Sequence, residues 1–206
     1  MTTSPKAEPL EPHEAFSRIF DRLKIPEDDT YLKGWWELIR SLNPSNFLDV
    51  EKQVKHNLIP ALKTEHEFCE DPFICIFLAH WYNLGYWAGE KNQVIVEQTM
   101  LDAIKGFKGG LTDYGDQLNH YNQAIANWYH GLYCYYDSEC DRRVYRPPMI
   151  EALEIINELL NEYEGIKPHD EFYKELQDIA EALKLWCQRP CHNTTGNFSE
   201  GSSPTG

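Results

Sequence analysis

Residues 149–163, MIEALEIINELLNEY, and residues 172–186, FYKELQDIAEALKLW, carry the clearest periodicity in the chain. Met149, Leu153, Ile156, Leu160 and Tyr163 recur at spacings of four, three, four and three, and so do Phe172, Leu176, Ile179, Leu183 and Trp186. That rhythm lays an apolar stripe along one face of an α-helix and leaves most of the acids opposite. The short link around Gly165 folds the two segments into an antiparallel hairpin. Residues 149–185 hold ten acidic and three basic side chains, a net −7 out of −14 for the whole chain. A terminal hairpin capping a stack needs such a solvated face; the same face suits the approach of a basic partner.

Working upstream, the same period recurs with helical punctuation. Residues 13–25 place Phe16, Ile19, Phe20 and Leu23 on one face. Asp28, Asp29 and Thr30 offer N-caps for a second helix carrying Leu32, Trp35, Trp36 and Ile39. A third is predicted over 45–63, and Asp71-Pro72 opens a fourth, because aspartate caps and proline lacks an N–H where none is needed. A fifth covers 92–107 and stops at Gly109-Gly110; Thr112 or Asp113 opens a long sixth, running to about residue 136. Pro147-Pro148 is expected to open the seventh, which Gly165 closes, and Pro168 to open the eighth. No alternating β-branched run suggests a sheet. The expected fold is therefore all-α, about eight helices stacked as antiparallel hairpins in one domain over 13–188. A flexible lead-in (1–12, with Pro5, Pro9 and Pro12) and a Ser/Thr/Gly/Asn-rich tail (189–206) are expected to flank it.

Composition narrows the function. With 33 acidic and 19 basic side chains in 206 residues, the surface repels phosphate, which argues against direct nucleic-acid binding. Hydrophobic residues at 42% exceed what a disordered chain carries. No apolar run reaches the roughly 18 residues of a membrane span. Residues 1–12 lack the apolar stretch of a secretory signal, so a cytoplasmic protein is expected. The six cysteines, Cys69, Cys75, Cys134, Cys140, Cys187 and Cys191, then read as ordinary thiols. Cys187, Cys191 and His192 supply only three ligands around Pro190, and no metal or cofactor is expected.

Two pentapeptides repeat at an offset of 47 residues: Ala79-His80-Trp81-Tyr82-Asn83 and Ala126-Asn127-Trp128-Tyr129-His130, with Tyr86 aligning with Tyr133. Serial amphipathic hairpins with internal repetition mark an α-solenoid. Trp81-x-x-Leu84-Gly85 resembles the Trp-x-x-Leu-Gly core of the tetratricopeptide repeat's first helix. In the second unit Trp128, Leu132 and Tyr135 take the Trp, Gly and Tyr places, with Gly131 one position early. Ala88 stands at the first unit's tyrosine place, Glu97 stands where a small residue belongs, and the offset exceeds that family's period of roughly 34. The resemblance covers about residues 72–164 and implies a peptide-binding groove.

His80 and Asn83 lie three apart on one helix face, as do Asn127 and His130. Buried polar groups need partners, so these four, with Tyr82, Tyr86, Tyr129 and Tyr133, read either as the lining of a groove for an extended peptide or as side chains bonded to each other between helices. Tyrosines fall on more than one face of the sixth predicted helix, so some are expected to reach solvent. Arg142, Arg143 and Arg146, three of seven arginines, precede Pro147-Pro148 in a predicted loop and form either an anion-seeking rim or pairs with Asp137, Glu139 and Asp141.

Catalytic signatures are missing. There is no nucleophile elbow, no phosphate-binding loop with its Lys-Ser/Thr, no His-Glu-x-x-His, and no glutamate three residues before any histidine. Asp116 and His120, four apart, read as a surface ion pair. The expectation is a non-enzymatic interaction module, an adaptor or regulatory subunit, binding a partner protein with a basic surface or an extended peptide segment. Two alternatives are a small-molecule-binding or catalytic helical domain, and an acidic inhibitor that mimics nucleic acid.

Overall fold

The computed structural model describes residues 11–42, 71–87, 93–110, 115–138, 141–164 and 170–189. Seven helices lie among them: α1 (Pro12–Phe20), α2 (Thr30–Arg40), α3 (Pro72–Trp87), α4 (Gln93–Lys108), α5 (Asp116–Asp137), α6 (Arg142–Glu164) and α7 (Glu171–Gln188). The described residues contain no strand, and no helix among them is long and apolar enough to cross a membrane. The helix predicted over 45–63, the lead-in 1–10 and the tail beyond 189 lie outside the described residues.

Aspartates cap three helices, Asp29 and Asp71 where the sequence offers them and Asp170 two residues after Pro168. Asp29 Oδ1 accepts from the Leu32 N–H at 2.9 Å, Asp71 Oδ1 from Phe73 N–H at 2.9 Å, and Asp170 Oδ1 from Phe172 N–H at 3.3 Å. Each satisfies one orphan donor of a first turn. From α3 onward every helix packs against its successor, α3 on α4 through to α6 on α7, while α1 lies across α3 and α5 and α2 leans on α3. The predicted stripe of α1 is buried throughout, Leu23 included, and Leu176, Ile179 and Leu183 of α7 are buried as predicted. On α6, Ala152, Ile155 and Leu159 join Met149 and Ile156 in the core, a broader apolar face than the five-residue stripe predicts. The reason is position: α6 packs on both α5 and α7.

Helix α5 is the centre. Nearly every side chain from Tyr121 to Tyr135 is buried, because α1, α4 and α6 cover it on different sides. The expectation that some of its tyrosines reach solvent holds among the described residues only for Tyr136, which is partly buried. Tyrosines all round a helix mark one enclosed by neighbours, and Tyr121, Tyr129, Tyr133 and Tyr135 are all in the core. Gly131 lets α6 approach: a Cβ there would meet Met149 Cγ at 2.5 Å and the Tyr145 carbonyl oxygen at 3.1 Å.

Four boundaries differ from the prediction. Helix α5 opens at Asp116 after a Gly115 cap and α7 at Glu171 after an Asp170 cap, both later than expected from Thr112 or Asp113 and from Pro168. The two others have causes distant in sequence. Helix α1 stops at Phe20, because the backbone of Arg22 and Lys24 bonds to α5 instead of continuing the helix. Helix α6 begins at Arg142, with Pro147 and Pro148 inside it. The prolines remove two N–H donors, but the turn before them is anchored elsewhere. Asp141 Oδ1 accepts from the Arg143 N–H at 2.9 Å, and the buried Tyr145 packs edge-on against Tyr135 and reaches the Arg189 carbonyl with its hydroxyl at 3.3 Å.

Candidate functional site

The repeated pentapeptides meet in the core. The Tyr129 hydroxyl on α5 lies 2.7 Å from His80 Nδ1 and 3.0 Å from Asn83 Nδ2, both on α3. Phe20 of α1 stacks on the His80 ring, centroids 4.1 Å apart and planes 10° from parallel, and closes the node from the third side. His80, Asn83 and Tyr129 are all fully buried. Burial without a compensating charge pushes the His80 imidazole down to about 3 and holds it neutral, and burial likewise raises the Tyr129 phenol. These three residues therefore bond to one another between helices, and the groove expected of them is not an open surface.

The second His/Asn pair stays apart from the first. Asn127 is buried and its Nδ2 donates to the Gln123 carbonyl one turn back at 3.2 Å. His130 is half-buried and lowered by burial, with Nε2 in no hydrogen bond. Tyr133 is in the core, and Tyr82 is half-buried against Trp81. The side chain of Tyr86 lies outside the described residues.

The arginines occupy the first turns of α6, not a loop. Arg143 grips Asp141, with Nη2 2.8 Å from Oδ2, and the bond lowers the Asp141 carboxyl below the usual range. Arg142 Nη2 donates to the Arg189 carbonyl at 3.1 Å, tying the end of α7 to the start of α6. Arg146 is half-buried. Two of the three are thus already used within the molecule. Asp116 and His120 are both exposed, and no ion pair joins them. Cys75, Cys134 and Cys187 are free thiols; Cys191 and His192 lie outside the described residues. Among the described residues no three His, Cys, Asp or Glu side chains cluster as metal ligands would.

A different site is open. A cleft of about 760 Å³ lies where the 24–27 segment, the start of α5 and the α6–α7 hairpin meet, lined by Lys24, Glu27, Asp116, Tyr121, Tyr163 and Phe172 among others. Its aromatic wall is continuous: Tyr121 and Phe172 centroids are 5.5 Å apart, and Phe172 and Tyr163 are 5.3 Å apart. The Tyr163 hydroxyl donates to Gln117 Oε1 at 3.0 Å, fixing that ring to α5. Gly115 caps α5 at φ +84°, a backbone state that glycine adopts without strain.

The cleft's inner wall is held by a polar clamp. Asn122 pairs with Lys24 as a peptide group would: its Oδ1 accepts the Lys24 N–H and its Nδ2 donates to the Lys24 carbonyl, both at 3.0 Å. The Tyr121 hydroxyl shares its proton between Glu175 Oε1 at 2.8 Å and the Arg22 carbonyl at 3.0 Å. Burial and the Glu175 carboxylate together raise this phenol. Glu175 Oε2 also takes the Lys24 ammonium at 2.6 Å.

Sequence reasoning placed Tyr163 and Phe172 at the ends of packing stripes and passed over Lys24, Glu27, Tyr121 and Asn122. The available signal was the position of Tyr163 and Phe172 at the linked end of the hairpin, where each apolar stripe ends. The chain matches no protein-family model, no curated protein and no solved structure.

Proposed function

We propose that this chain is a non-enzymatic protein-interaction module, an adaptor or regulatory subunit on a tetratricopeptide-like scaffold of serial helical hairpins. Its partner docks at the linked end of the α6–α7 hairpin, beside Tyr163 and Phe172. The observation that carries this reading is the cleft with its three-ring wall, set on the most acidic part of the chain. Aromatic surface that remains accessible beside polar groups is the usual make-up of a protein interface. The exposed Glu27, Gly115, Asp116 and Gln117 leave the cleft open to solvent, which favours a docking segment over an enclosed small molecule. The described residues of its lining are aromatic, apolar and polar side chains, the make-up of a recognition surface.

The test is site-directed photo-crosslinking in cells of origin, with the crosslinker at Gln117 in the cleft and, as a control, at Lys33 on α2. The reading predicts a protein captured from Gln117 alone, whose purified form binds the native chain and binds the Phe172→Ser variant at least ten-fold more weakly. Capture from both positions alike, or from neither, overturns it.

A further inference from the structure

The chemistry of the cleft selects among partner segments. Lys24, the one cation among the described residues of its lining, is already neutralised by Glu175 at 2.6 Å. Glu27 and Asp116, the two carboxylates among the described residues of the lining, are exposed and make no ion pair or hydrogen bond to another described residue. The start of α5 contributes about half a positive charge from its aligned peptide dipoles, against two full negative charges from these carboxylates. The balance is negative, and the surrounding hairpin adds a further −6 once Glu175, already paired with Lys24, is set aside. Ring faces attract positive charge, as the buried Tyr121 ring already does for the Lys24 ammonium 5.7 Å from its centroid, and Phe172 and Tyr163 carry the same chemistry at the part of the wall that is not fully buried. Phe172 and Tyr163 are partly buried and keep some ring surface toward the cleft for an alkyl stem. An acidic or phosphorylated segment would face Glu27 and Asp116, and a purely apolar one would cover both carboxylates without a counter-charge.

Resting on the interaction reading above, we infer that the cleft receives one cationic side chain of the partner, an arginine or lysine neutralised by Glu27 and Asp116, with its stem against Phe172 and Tyr163. Basic side chains carry a long apolar stem and a charged head, the two features this lining offers.

The experiment titrates the ¹⁵N-labelled full chain with the peptide acetyl-Gly-Gly-Arg-Gly-Gly-amide and with its neutral citrulline isostere. The expected result is a set of shifts confined to Gln117, Leu118, Tyr163 and Phe172, with the citrulline peptide at least ten-fold weaker. The Glu27→Gln/Asp116→Asn double variant should lose ten-fold for the arginine peptide and most of its salt dependence. Glu154→Gln/Glu181→Gln removes the same net charge from exposed sites outside the cleft and should bind within two-fold of the native chain. Equal binding of the citrulline peptide, an equal loss in the Glu154/Glu181 variant, or the absence of shifts at the cleft overturns the inference. The peptide comparison uses the native chain, so it decides even where a variant folds poorly. The two proposals fail separately: crosslinking from Gln117 without arginine binding leaves a docking site of other chemistry, and arginine binding without crosslinking removes the partner from this cleft.

Discussion

The Tyr129 hydroxyl joins His80 and Asn83, and the geometry fixes the direction of its proton. Asn83 Nδ2 can only donate, so the hydroxyl accepts from it at 3.0 Å and donates its own proton to His80 Nδ1 at 2.7 Å. His80 is then the neutral tautomer with its proton on Nε2. Tyr129→Phe keeps the ring and leaves a buried acceptor and a buried donor without partners. The expected loss is about 1–3 kcal/mol of stability, read from urea unfolding at pH 7.5.

The same histidine makes stability depend on pH in one direction. Its folded value is lowered to about 3 by burial, while in the unfolded chain it stands near 6.5. Below the unfolded value the unfolded chain takes up a proton that the folded chain refuses. Stability is therefore flat in this term above 6.5 and falls progressively from there down to about 3. By pH 5 the loss from His80 alone is about 2 kcal/mol. Urea midpoints at pH 7.5 and pH 5 in the native chain and in His80→Gln should show the native chain losing more; equal losses would contradict the assignment.

Gly131→Ala tests the contact between α5 and α6. The added methyl would stand 2.5 Å from Met149 Cγ and 3.1 Å from a backbone oxygen, so α6 must shift or Met149 must leave its rotamer. The expected cost is about 1–3 kcal/mol despite alanine's better helix propensity. Gly34→Ala is the control. No described atom lies within 4 Å of its added methyl, and a gain of about 0.5–1 kcal/mol is expected. Thermal melts of the two variants should move in opposite directions.

Asn122→Ala removes both hydrogen bonds to the backbone of Lys24. Two such bonds are worth about 2 kcal/mol together. The segment that loosens contains Arg22 and Lys24, so trypsin should cut there faster in this variant than in the native chain. Unchanged cleavage would mean that Glu175 and Tyr121 alone hold the segment.

Helical character was legible because it is local. The four-three spacing of α7, the aspartate caps at Asp29 and Asp71, and the glycine stop after α4 each depend on neighbours within one or two turns. What was not legible depends on partners distant in sequence. Nothing in residues 21–25 says that Asn122 will take their hydrogen bonds and end α1 early. Nothing near Pro147 says that Tyr145 and Arg189 will hold a helical turn ahead of two prolines. The His/Asn repeat pointed to a real meeting of α3 and α5, yet repetition alone does not distinguish a groove from a seam. The offset of 47 set the second pair one place differently against its neighbours: Tyr129, the counterpart of Tyr82, became the hub, while Asn127 turned back on its own helix. The cleft escaped notice because its residues come from three separate stretches, none of them remarkable alone.

The clamp between Lys24 and Asn122 spans 98 residues of sequence. During synthesis, at roughly 5–20 residues per second, about 5–20 s pass between the appearance of the first partner and that of the second. Over that interval Phe16, Phe20 and Leu23 have no α5 to cover them. Residues 16–23 are made well before the helix that covers them, so a nascent chain would present these apolar side chains to whatever waits at the ribosome exit.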